Sequence, residues 1–99
     1  MRYYFDWDPK KSKTNFNKHK VSFEQAASIL LDPLAETVFD EPHSEGEDRW
    51  ATVGMDNNGV ILVMVHTFYP IEKDAAKIRV ISARKATRVE AKRYKEKSI

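Results

Sequence analysis

At 99 residues, 41% hydrophobic and 32% charged, the chain has the size and balance of one folded domain spanning 1–99, which argues against a disordered chain and against two cores. Without cysteine it can form neither a disulfide framework nor a thiolate zinc site nor a cysteine nucleophile. The net charge of +2 hides a strong segregation: residues 1–20 carry six Lys/Arg against two Asp, residues 21–72 hold Arg49 alone against ten acids, and residues 73–99 carry ten bases against three acids. If the two basic ends meet on folding, they form a positive face suited to a polyanion such as nucleic acid.

In chain order, Tyr3 to Trp7 is aromatic-rich and predicts a short strand, with Asp8 as the N-cap and Pro9 as the first residue of a helix reaching about His19. Phe16 is that helix's expected apolar anchor, and the remaining positions give it a basic, exposed surface. Ser22 with Gln25 predicts a capping box, and Phe23, Ala26, Ala27, Leu30 and Leu31 recur at helical spacing until Asp32-Pro33. Leu34–Phe39 and Arg49–Met55 read as strands flanking an acidic loop, Asp40 to Asp48. Asn57-Asn58-Gly59 predicts a tight hairpin into Val60–Val65, apolar on both faces and hence a central strand. A charged loop near Glu72–Ala76 should lead to a last strand, Ile78–Ser82, with Arg79 facing away from Ile78 and Val80. Thr87 with Glu90 predicts a capping box that opens a C-terminal helix to about Lys97. The pattern is α+β: a short N-terminal strand, two helices, an antiparallel sheet of three to four further strands, and a final helix. The first residues lack the apolar core of a signal peptide and no apolar run approaches a membrane span, so a cytoplasmic location is expected.

Several segments together resemble a known family. Phe5-x-Trp7-Asp8-x-x-Lys11, Asn15-x-x-Lys18-His19-x-Val21-x-Phe23, Asp32-Pro33-Leu34, Arg49-Trp50 and Arg79-x-Ile81-Ser82-Ala83-Arg84-x-Ala86, with Glu90 and Tyr94, are similar to the BrnT toxins of type II toxin–antitoxin modules. The resemblance implies a RelE-like fold and a ribonuclease that halts translation by cutting RNA. It also implies a BrnA-type ribbon-helix-helix antitoxin as partner, forming a hetero-oligomer that binds its own promoter DNA through the antitoxin. A non-catalytic nucleic-acid-binding module, or a degenerate toxin kept for antitoxin binding and promoter regulation, would carry the same basic surface.

A ribonuclease working without a metal or other cofactor needs a base for the 2′-hydroxyl proton, cations for the phosphorane and an acid for the 5′-oxygen. Arg suits the second role because its fork matches two phosphate oxygens and keeps its charge. Arg84, just past the last strand, and Arg79 within it are the first candidates; Arg84 either reaches substrate or pairs with Glu90 to fix the last helix. Arg49 either binds phosphate or pairs with Glu47 or Asp48, and Arg88 either contacts RNA or is a solvated helix charge. His19, between Lys18 and Lys20, is the expected titrating base, with a helix C-terminal cap as its alternative. Tyr94 either joins the site or packs the last helix on the core. Lys11 and Lys18 would position RNA. His66 reads as a satisfied core or edge residue, and His43 as a solvated residue of the acidic loop. That loop lacks the ligand order of an EF-hand and any His-x-x-x-His pair, so no metal is expected there.

Overall fold

A computed structural model describes residues 1–97. The first strand, β1, is Arg2–Asp6. Asp8 caps the helix α1, Pro9–His19, by accepting the Lys10 amide at 2.8 Å, and Lys20 ends it in the left-handed region with its N–H on the Phe16 carbonyl. Ser22 caps α2, Phe23–Ala27, which tightens into a 3₁₀ turn, Ser28–Leu31. The Ser22 box is half made: Ser22 accepts the Gln25 amide, but the Gln25 side chain turns away to Asp56. Then follow β2 Glu36–Phe39, a 3₁₀ turn Glu41–His43, β3 Trp50–Met55, β4 Ile61–His66, β5 Tyr69–Glu72, β6 Ala75–Lys85 and α3 Arg88–Glu96. Asp56 accepts the Asn58 and Val60 amides and Gly59 takes φ +81°, which closes the β3–β4 hairpin. At Thr87 both halves of the capping box form.

The strands make one sheet in the order β1-β6-β4-β3-β2, with β5 also on β6. Two expectations need correction. Five strands follow the helices rather than three or four, because β5 continues β4 along β6 beyond a break at Thr67-Phe68. β5 buries none of its residues and contains Pro70, so it lacks the alternation that marks a strand; an edge position makes both features tolerable. The sheet is also mixed. β1 pairs with Ala75–Arg79 of β6 in parallel, the two being joined by a long crossover through the rest of the chain.

Val21, Phe23, Ala26 and Ile29 pack one sheet face against Leu62, Met64, Val80 and Ala83, and Trp7 meets Phe23 edge-on at 5.9 Å. Phe16 is not the anchor of α1; it is exposed, and Asn15 is the buried residue. The cause lies in the sheet. β1 stops opposite Arg79, and the bare edge of β6 beyond it still has backbone groups to satisfy. Asn15 satisfies them with its amide, accepting from Ala83 N–H at 3.1 Å and donating to Ala83 C=O at 2.9 Å, as a strand would. Among the described residues no helix is long and apolar enough to cross a membrane.

Candidate active site

The sheet face opposite α1 and α2 carries a groove of about 530 Å³. Register explains its floor. Val38, Ala51, Val65 and Ser82 stand opposite one another across β2, β3, β4 and β6, and Val53, Val63 and Arg84 form the next row. Glu90, Arg93 and Tyr94 of α3 wall one end, while Asp40, His43 and Arg49 rim the other. A second cleft of about 320 Å³ lies between α1 and β6 and holds Lys11, Lys18 and His19. Both are lined by Ile81 and Ser82, where β6 bulges against β4. The two basic ends of the chain therefore meet at this bulge.

Arg84 lies in the groove, bidentate on Glu90 at 2.7 and 3.0 Å. These bonds, against the opposing effect of burial and with the Thr87 amide helping, hold the Glu90 carboxyl down at about 2; they also raise the Arg84 guanidinium. Arg49 and Arg93 also line the groove, and among the described residues neither has a carboxylate within ion-pair distance. Arg49 pairs with neither Glu47 nor Asp48, and its buried Nε has no hydrogen-bond partner. Lys97, also groove-lining, pairs with Glu36.

Arg79 does face away from Ile78 and Val80, but it is joined to Glu47 of the acidic loop, which also accepts from the Tyr69 hydroxyl at 3.0 Å. The Tyr69 bond first, then Arg79, keeps the Glu47 carboxyl low against its desolvation. Tyr94 is buried with its hydroxyl on Asp32; burial, then that bond, pushes it up to about 12. Asp32 also accepts from Leu34 and Met55, so the contact pins α3 to the chain after the 3₁₀ turn. Arg88 is exposed beside Lys92 and Lys95, away from the groove.

His66 is buried as a satisfied residue, between Thr52 Oγ1 at 2.7 Å and the Thr67 carbonyl at 2.8 Å, and burial lowers its pKa. His43 is not simply solvated: it lines the groove with Nδ1 at 2.8 and 2.9 Å from the two Asp40 oxygens. Arg93, Lys97 and His43 are the groove residues that sequence reasoning missed. Glu90, Arg93 and Lys97 fall at i, i+3 and i+7, one helical face, and Asp40-x-x-His43 brackets a Pro-containing turn; both spacings were readable. Among the described residues, no three His, Cys, Asp or Glu side chains converge as metal ligands would.

Residues 7–90 match the profile of a family described as the ribonuclease toxin, BrnT, of type II toxin–antitoxin systems. The chain belongs to the BrnT family. The crystal structure of the Brucella abortus ribonuclease toxin BrnT superposes with a TM-score of 0.58 at 24% identity, over 89% of this chain and 100% of that one, so the two share a fold. Among proteins of curated function, none matches in sequence. Within this BrnT chain the family match covers the bulge, the α1 cleft and the groove apart from Arg93, Tyr94 and Lys97, and membership in a type II system implies an antitoxin partner and an RNA target.

Proposed function

We propose that this BrnT chain is a metal-independent endoribonuclease of RelE-like type that inhibits translation and is neutralised by a BrnA-type ribbon-helix-helix antitoxin, which also carries the pair to its promoter. Family membership supports the ribonuclease class. The observation that carries the reading is the pair of unpaired guanidiniums, Arg49 and Arg93, above an apolar sheet floor that runs on into the lysine cleft of α1. A half-buried Arg49 and an exposed Arg93, neither in an ion pair among the described residues, suit a phosphate whose charge grows in the transition state.

In this reading one phosphate sits between Arg49 and Arg93, and the bases rest on the valine floor. Arg84 adds to that charge while Glu90 fixes its direction, so Glu90 is a positioning residue. The strand then crosses the Ile81–Ser82 bulge, where Lys11, Lys18 and His19 hold neighbouring phosphates. Arg79, held by Glu47, and Tyr94, held by Asp32, serve to anchor the acidic loop and α3 around the groove. Arg88 is a peripheral RNA contact.

Expression of the chain alone in a bacterium should stop growth and degrade RNA, and co-expression of the adjacent antitoxin should restore both. Purified protein should cut RNA in EDTA. Normal growth and intact RNA despite soluble protein would refute the ribonuclease reading.

A further inference from the structure

We infer that His43, oriented by Asp40, is the general base of the groove; the inference rests on the ribonuclease reading above. A carboxylate has no proton to donate, so the bonds from Asp40 Oδ1 and Oδ2 to the ring at 2.9 and 2.8 Å require the hydrogen on His43 Nδ1. In the neutral ring the lone pair is then on Nε2, in a side chain that is 64% exposed and borders the groove. Asp40 itself is only 14% exposed and is locked in place. Its amide donates to the Arg49 carbonyl at 2.9 Å, its carbonyl accepts from His43 N–H and the Ser44 hydroxyl, and Ser44 Oγ accepts the Arg49 amide at 3.0 Å. One compact turn therefore presents a base, its orienting carboxylate and the unpaired Arg49 on the same rim.

That arrangement is base, orienter and phosphate-binding cation on one side of a substrate cleft. The other two histidines are differently placed: His66 is buried with both ring nitrogens engaged, and His19 lies in the α1 cleft. The charged groups around the groove are Asp40 and Arg49 on the rim of His43, Arg84, Glu90 and Arg93 from β6 and α3, and the Glu36–Lys97 pair. Two of the four cations are already matched by carboxylates, which leaves Arg49 and Arg93 for the phosphate. In the reaction, His43 Nε2 takes the proton of the RNA 2′-hydroxyl as the 2′-oxygen bonds to phosphorus. The bond from phosphorus to the 5′-oxygen breaks, that oxygen takes its electron pair and a proton from water, and a 2′,3′-cyclic phosphate remains. The imidazolium then returns its proton to solvent. Asp40 touches no reacting atom and is a positioning residue.

The test uses the full chain and a 5′-labelled random-sequence RNA. His43→Gln should cut about 10²- to 10⁴-fold more slowly at unchanged KM, the usual size of a lost general base. The wild-type rate should rise with pH as the base loses its proton, and that rise should vanish in His43→Gln. Asp40→Asn should lower kcat at least about tenfold, as the loss of an orienting carboxylate does. ¹⁵N NMR of the wild-type ring should show the proton on Nδ1, and melting curves should show both variants folded. Cleavage by His43→Gln within threefold of wild type, a retained pH rise in that variant, or a neutral wild-type ring with its one proton on Nε2 would overturn the assignment while leaving the ribonuclease reading intact. A wild-type protein that leaves the RNA uncut overturns both.

Discussion

The Arg84–Glu90 pair shows how one residue serves local structure and the groove together. Glu90 Oε1 accepts from both Arg84 Nη1 and the Thr87 amide, so the carboxylate that completes the α3 cap also aims the guanidinium across the sheet. Its carboxyl sits at about 2 in the fold against an ordinary 4.5. A carboxyl lowered by folding stabilises the protein above its unfolded value, and that contribution disappears as pH falls from about 4.5 toward 2. Both partners are partly solvated, at 31% and 42% exposure, so the contribution at neutral pH is on the order of 1–2 kcal/mol after screening. Glu90→Gln should therefore melt below the wild type at pH 7, and the gap should close as pH is lowered through that window. Thermal melts of both proteins between pH 7 and 2.5 measure this; a gap that stays constant would mean the pair contributes nothing as an ion pair.

At the level of elements, the sequence announced what local chemistry decides. Asp8-Pro9, the Thr87–Glu90 box, the Asn57-Asn58-Gly59 hairpin and the buried run of β4 are all visible because caps, turns and double-sided burial leave residue-level marks. Partners distant in sequence leave no such mark. β5, the parallel β1–β6 pairing and the Asn15 bridge to Ala83 all answer to the open edge of β6, which exists only once the sheet is assembled. The approach of the 3₁₀ turn Ser28–Leu31 to β3 is of the same kind. Gly54 is buried in β3, and a Cβ there would lie 3.1 Å from the Ile29 carbonyl oxygen, the Ile29 Cβ and the Ala35 Cβ. Ile29 is fully buried and one of those atoms is backbone, so the turn has little room to retreat. The gain from replacing glycine in a strand, about 0.5–1 kcal/mol, is smaller than the roughly 1–3 kcal/mol of overpacking. Gly54→Ala should lower the urea midpoint with an unchanged m-value, and an equal or higher midpoint would show that the turn yields freely.

Across the whole molecule, the segregated charge turns out to be a folding plan for one surface. α1 brings the N-terminal bases to the Ile81–Ser82 bulge, and β6 and α3 bring the C-terminal ones to the groove beside it. The acidic segment is part of the same design: Glu36 holds Lys97, Asp40 holds His43, and Glu47 holds Arg79. The location of the candidate site was readable from the bases and the family-like motifs, but which cations stay unpaired was not, because pairing depends on where the acidic loop folds. This division of labour predicts different salt behaviour for the two clefts. In the groove two of four cations already have carboxylate partners, whereas Lys11 and Lys18 in the α1 cleft make no ion pair among the described residues. Single-stranded nucleic acid releases about 0.7 counterion per phosphate neutralised, so each phosphate contact steepens the fall of log K with log salt by about 0.7. The double variant Lys11→Ala/Lys18→Ala should bind a 2′-O-methyl RNA, which lacks the attacking hydroxyl, more weakly at low salt and with a slope shallower by about 1.4. Its single-turnover rate at saturating cleavable RNA should stay near wild type, because these lysines place the strand and do not touch the reacting phosphate. Fluorescence anisotropy titrations at several salt concentrations give the slope, and one that matches wild type would place the RNA track elsewhere on the molecule.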